Sequence, residues 1–126
     1  MIQSEFFVKS LINVALVLII IPVGFVLHAK GKPLNSFLFN IHKLATIGFI
    51  IYMASVLVKY SKAVGLSTLL IVLICITVIS LIGLLLSGAF LSLDRFPVFM
   101  LRLHNVTCLG FVICIAGIFY EILFNS

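Results

Sequence analysis

Four apolar runs, at about residues 6–27, 37–59, 66–91 and 98–123, fill nearly the whole chain, and the stretches between them are only a few residues long. A helix needs about 20 apolar residues to cross a hydrocarbon layer roughly 30 Å thick. Each run meets that length. Lipid offers no partner to a peptide N–H or C=O, so an isolated apolar run of this size satisfies its backbone only as a helix. Composition agrees: 64% of the 126 residues are hydrophobic and 9% are charged, whereas about a quarter of a soluble domain is charged.

The breaks read HAKGKPLNS, YSKAVG and SLDRFP, rich in residues that punctuate helices. Pro33 and Pro97 stand just ahead of the second and fourth runs, where proline is compatible with a helix start. Pro22 lies inside the first run and predicts a kink. That first run carries Lys9 near its start, as a secretory leader would. It is long, no small-x-small cleavage site precedes a soluble domain, and further spans follow, so it reads as a retained helix.

Short connections force neighbouring helices to alternate in direction. The expected fold class is therefore all-α: an integral membrane, antiparallel four-helix bundle forming a single domain over residues 1–126. Lys30, Lys32, Lys43, Arg95 and Arg102 then share one face, and Lys9, Lys59 and Lys62 share the other with the termini. The positive-inside tendency places the richer face in the cytoplasm of a plasma-membrane, multi-pass protein. The net charge of +5 sits near helix ends, which suits lipid headgroups rather than nucleic acid.

The second and fourth runs repeat each other. At an offset of 62, His42 meets His104, Gly48 meets Gly110, Phe49 meets Phe111 and Ala54 meets Ala116, so both carry H-x5-G-F-x4-A. The chain reads as a duplicated two-helix hairpin, its halves related by an axis along the membrane normal. Gly24 and Gly88 form a fainter pair in the first and third runs.

Imidazoles inside membrane helices are rare and usually functional. Three readings compete for His42 and His104: interfacial histidines bonded to a neighbouring helix or to water, a proton or substrate site of a small transporter, and axial ligation of haem iron from two facing helices. The first explains each histidine alone but not its repetition together with a glycine and a phenylalanine. Phe49 and Phe111 follow their histidines by seven residues, on nearly the same stripe and two turns deeper, where they would wall a macrocycle. Gly48 and Gly110 would admit a haem edge, or simply another helix. Lys43, Arg95 and Arg102 are candidate partners for haem propionates as well as headgroup anchors. Thr46, Thr107 and Asn105 are candidates to orient ligands, although threonine in such a helix more often bonds its own backbone. His28, on the same face, is an interfacial residue, a propionate partner or an alternative ligand.

These residues resemble the four-helix haem cores of membrane cytochromes b, in which histidines of the second and fourth helices clamp a haem. Those proteins often hold a second haem on histidines some 13 or 14 residues further on; here the positions fourteen on are Val56 and Ile118, which cannot ligate. The resemblance therefore implies one haem b per chain, on His42 and His104. The small size also resembles the haem-binding membrane proteins of low-GC bacteria, which implies haem capture and defence against oxidant stress.

Two axial imidazoles leave no open iron position, so one-electron transfer or haem sequestration is expected, with no independent catalysis. Electrons would pass to a quinone or a redox partner protein, and a homo-oligomer is compatible with the chain. The rival is a cofactor-free accessory subunit or small transporter. Glu5, Asp94 and Glu121, the only carboxylates, all lie near run ends, unlike the deep carboxylate of small multidrug exporters. The Gly-Arg pattern of small fluoride channels and the Glu-Arg cluster of glutathione-handling four-helix enzymes are missing. Cys75, Cys108 and Cys114 form no CxxC pair, which argues against thiol–disulfide exchange.

Overall fold

The computed structural model describes residues 2–125, with side chains from Ser4 onward. Four helices account for nearly all of it: α1 (Ile2–Lys30), α2 (Ser36–Ala63), α3 (Thr68–Ser92) and α4 (Pro97–Phe124). There is no strand among the described residues. All four are long and apolar enough to cross a membrane, at 25 to 28 residues per candidate span. At 1.5 Å per residue these helices reach roughly 37–43 Å, longer than the hydrocarbon layer. They overrun the apolar segments read from sequence because polar end residues such as Ser4, Lys30 and Lys62 continue the helix.

Local chemistry sets the helix ends. Asn35 caps α2 by accepting from the Leu38 amide at 3.1 Å, and Ser67 caps α3 by accepting from the Leu70 amide at 3.1 Å. Pro97 is the first residue of α4, as expected, whereas Pro33 stays in the preceding loop. Gly31 and Gly65 follow the ends of α1 and α2 at φ +67° and +94°, a left-handed turn that glycine makes without steric cost. α1 passes through Pro22 as one continuous helix.

The chain divides into two compact units, Met1–Gly65 and Leu66–Ser126, each a helical hairpin. In the first, the Phe6 ring stands edge-on to Tyr60 with centroids 5.4 Å apart, and Gly24 lies against His42. The start of α1 therefore meets the end of α2, so the pair is antiparallel. The covered positions of α1 include 6, 10, 13, 17, 20, 24 and 27, spaced in steps of four and three. That is the seven-residue seam by which two helices interlock side chains. Phe49, Met53, Val56 and Tyr60 are the buried residues of α2.

The second hairpin repeats the plan. Leu73 meets Gly117, Gly83 meets Thr107 and Gly88 meets His104, so α3 and α4 are antiparallel too. The covered positions of α3 include 70, 73, 77, 80, 84, 87 and 91. Burial matches across the repeat: Phe49 with Phe111, Met53 with Ile115, Val56 with Ile118 and Tyr60 with Ile122 at the offset of 62. Between α1 and α3 the offset is 64, pairing buried Phe6 with Leu70 and Asn13 with Thr77. Elsewhere the helices turn large apolar side chains outward, among them Leu18, Phe25, Ile51, Ile79 and Leu109. Water would penalise so much apolar surface; a hydrocarbon solvent does not.

Candidate functional site

His42 lies six residues after Ser36 and His104 seven after Pro97, so each sits about 9–10 Å along its helix. In a membrane-spanning helix some 10 Å longer than the hydrocarbon is thick, that depth would be just inside the apolar layer. Both rings are partly covered. In each hairpin the imidazole turns onto the partner helix.

In the first hairpin, His42 Nδ1 lies 2.9 Å from the Ile20 carbonyl oxygen of α1. A carbonyl can only accept, so His42 donates, and Nδ1 carries the ring proton. The lone pair is then on Nε2. Gly24 makes this seat possible: a Cβ there would lie 3.0 Å from His42 Cε1 and 3.5 Å from Nδ1. The ring occupies the space that any side chain at position 24 would need.

In the second hairpin, His104 Nδ1 lies 2.9 Å from Ser87 Oγ on α3. Ser87 Oγ also lies 3.2 Å from the Leu84 carbonyl, to which it can donate its one proton. With its proton there, the hydroxyl accepts from His104, whose ring is in that arrangement the Nδ1–H tautomer. Gly88 faces this ring, its would-be Cβ 3.6 Å from Cε1, an ordinary contact distance. The faint Gly24–Gly88 pairing of the sequence thus has a physical meaning: each glycine lies beneath the histidine of its own hairpin.

The remaining candidates fall into place around these rings. Phe49 and Phe111 are buried, two turns deeper than their histidines. Gly48 has nothing within 4 Å of where a Cβ would sit, and Gly110 has only Ser80 Oγ at 3.8 Å. Thr46 donates to the His42 carbonyl at 2.7 Å and Thr107 to the Leu103 carbonyl at 2.7 Å, so both hydroxyls serve their own helix backbone rather than a ring. Lys43 is exposed, its Nζ 5.3 Å from the Phe39 ring centroid. Arg95, Arg102 and His28 are exposed near helix ends. Cys75, Cys108 and Cys114 are free thiols.

Sequence reasoning overlooked Ser87, the hydroxyl that holds His104. Its signal was its place immediately before Gly88. It also overlooked a polar patch at the other end of the first hairpin, where Ser10 and Asn13 are buried and Ser10 Oγ and Asn13 Oδ1 lack a partner among the described residues. Nearby, Lys9 pairs with Glu5 one helical turn before it. In the second hairpin the buried Glu121 accepts from Asn125 Nδ2 at 2.8 Å. Among the described residues no three His, Cys, Asp or Glu side chains gather as an all-protein metal site. Comparison with protein families, with curated proteins and with solved structures finds no match to this chain.

Proposed function

We propose that this chain is an integral membrane haem b protein that binds one haem through His42 and His104. The observation that carries the reading is the shared state of the two rings. Each is held through Nδ1 by a group of its own hairpin, His42 by the Ile20 carbonyl and His104 by the Ser87 hydroxyl, and a proton on Nδ1 would turn the Nε2 lone pair to a metal. Metal-binding histidines are ordinarily arranged this way, the second nitrogen fixing the tautomer and the aim of the first. The donor set fits haem iron, since a porphyrin supplies four nitrogens and only two protein ligands are then required.

The chain's own residues have distinct parts in this reading. Gly24 and Gly88 make room for the rings, and Phe49 and Phe111 supply apolar walls two turns deeper. Lys43, Arg95 and Arg102 are placed toward the helix ends where propionates would meet water. Gly48 and Gly110 leave room beside the same stripe. A haem with two axial imidazoles supplies a one-electron couple without an open iron position. The function is accordingly one-electron transfer, or sequestration of haem as a defence against oxidant stress, with a quinone or a redox protein as the electron partner. The histidine end, richer in cations, faces the cytoplasm of the plasma membrane.

An absorption spectrum of protein purified from haem-replete cells tests this. A sharp Soret band with resolved α and β bands on reduction is the expected result. Replacing His42 or His104 by alanine removes that low-spin spectrum, whereas His28→Ala leaves it intact. A colourless protein that takes up no added hemin would sink the reading and leave a cofactor-free accessory subunit or small transporter.

A further inference from the structure

His42 and His104 reach the same backbone position by different routes. At the offset of 64 that relates α1 to α3, Ile20 corresponds to Leu84. His42 donates to the Ile20 carbonyl directly, at 2.9 Å. His104 Nδ1 lies 2.9 Å from Ser87 Oγ, and Ser87 Oγ lies 3.2 Å from the Leu84 carbonyl. A buried hydroxyl thus stands between the second imidazole and the carbonyl equivalent to the one that the first imidazole touches. The position equivalent to Ser87 in α1 is Val23, which has no hydroxyl to offer.

Packing explains why the second hairpin needs the intermediary. The His42 ring presses on Gly24 so closely that a Cβ there would lie 3.0 Å from it, and the ring reaches the helix backbone. Beside Gly88 the corresponding distance is 3.6 Å, so the His104 ring stands further from α3. A serine side chain on α3 fills that gap. Ser87 is fully buried, so water does not compete for its hydroxyl.

We propose that Ser87 is the positioning residue for His104, fixing its Nδ1–H tautomer and the direction of Nε2 by accepting from Nδ1–H while donating its own proton to the Leu84 carbonyl. This deepens the haem reading and rests on it for the redox consequence, but the tautomer itself belongs to the protein alone. An imidazole that donates from Nδ1 is more electron-rich at Nε2 and favours ferric over ferrous iron. Removing the acceptor therefore raises the reduction potential of a haem held by that ring.

The experiment has two arms. In the first, haem-loaded wild type, Ser87→Ala and Ser87→Thr are titrated potentiometrically in detergent. Ser87→Ala is expected to change the ferric-to-ferrous balance about threefold, an upward shift of roughly 30 mV at 59 mV per decade for one electron. Ser87→Thr, which keeps the hydroxyl, is expected to restore the wild-type value. An unshifted or lowered potential in a red Ser87→Ala protein overturns the positioning role while the haem reading stands.

In the second arm, nitrogen-15 spectra of histidine-labelled, haem-free protein report which nitrogen of His104 bears the proton. Nδ1–H in wild type, with loss of that preference in Ser87→Ala, supports the proposal. An Nε2–H ring in wild type overturns it whether or not the variant folds, as does an unchanged tautomer in Ser87→Ala. A chain that never binds haem defeats the haem reading only, and the second arm still decides Ser87.

Discussion

Adding one methyl group at Gly24 and one at Gly88 should have opposite results, although the two residues occupy the same place in the repeat. At Gly24 a Cβ would lie 3.0 Å from His42 Cε1, closer than carbon atoms pack. The ring cannot simply swing aside, because its Nδ1 is held 2.9 Å from the Ile20 carbonyl. Gly24→Ala therefore either overpacks the seam, at about 1–3 kcal/mol, or lengthens that hydrogen bond, at about 0.5–1.5 kcal/mol. Against this stands a gain of about 0.5–1 kcal/mol from replacing a mid-helix glycine by alanine. The balance is a loss of about 1 kcal/mol, within a span of roughly 0–2 kcal/mol. At Gly88 the methyl would meet His104 Cε1 at 3.6 Å, so the helix gain survives and Gly88→Ala should be neutral or slightly stabilising. Reversible unfolding of both variants in mixed detergent micelles, followed by circular dichroism, measures the difference. Equal stabilities, or a more stable Gly24→Ala, would refute the claim that the ring is seated against that glycine. The test needs no cofactor.

Other substitutions probe other parts of the molecule. Asn13 is fully buried with Oδ1 lacking a partner, so Asn13→Leu should stabilise the first hairpin by about 1 kcal/mol, the order of an unmet polar group's desolvation; a lower unfolding midpoint would show that Oδ1 is satisfied in the membrane. Gly117→Ala brings a methyl within 3.2 Å of Leu73 Cδ1, the end of a flexible side chain, and should stay within about 1 kcal/mol of wild type in the same unfolding assay. Phe49→Ala removes a buried ring and should cost about 3–5 kcal/mol, visible as loss of cooperative unfolding. If Lys43, Arg95 and Arg102 hold propionates, replacing all three by glutamine should speed haem loss to an excess of apomyoglobin severalfold; unchanged kinetics would return these residues to a purely topological role.

The four helices were legible from sequence because lipid leaves a long apolar run no other way to satisfy its backbone. The breaks were legible for the same reason, since Asn35, Ser67 and Pro97 cap or start helices through contacts three residues away or less. The duplication was also visible, because H-x5-G-F-x4-A is a pattern along one chain. Which helix pairs with which followed only in outline from the short loops.

What the tertiary structure decided is the state of each histidine. No pattern along the chain shows that the Ile20 carbonyl and the Ser87 hydroxyl meet the two rings, because those groups lie 22 and 17 residues away and arrive only when each hairpin closes. The backbone carbonyl is chemically anonymous in sequence, and Ser87 is one serine among several. Gly24 was only the fainter partner of Gly88 in the repeat until its missing side chain proved to be the space His42 fills. Sequence determined four helices apolar enough to cross a membrane and a histidine-bearing pattern that occurs twice; the closing of each hairpin determined which group each ring meets, because a hydrogen bond depends on position in space and not on order along the chain.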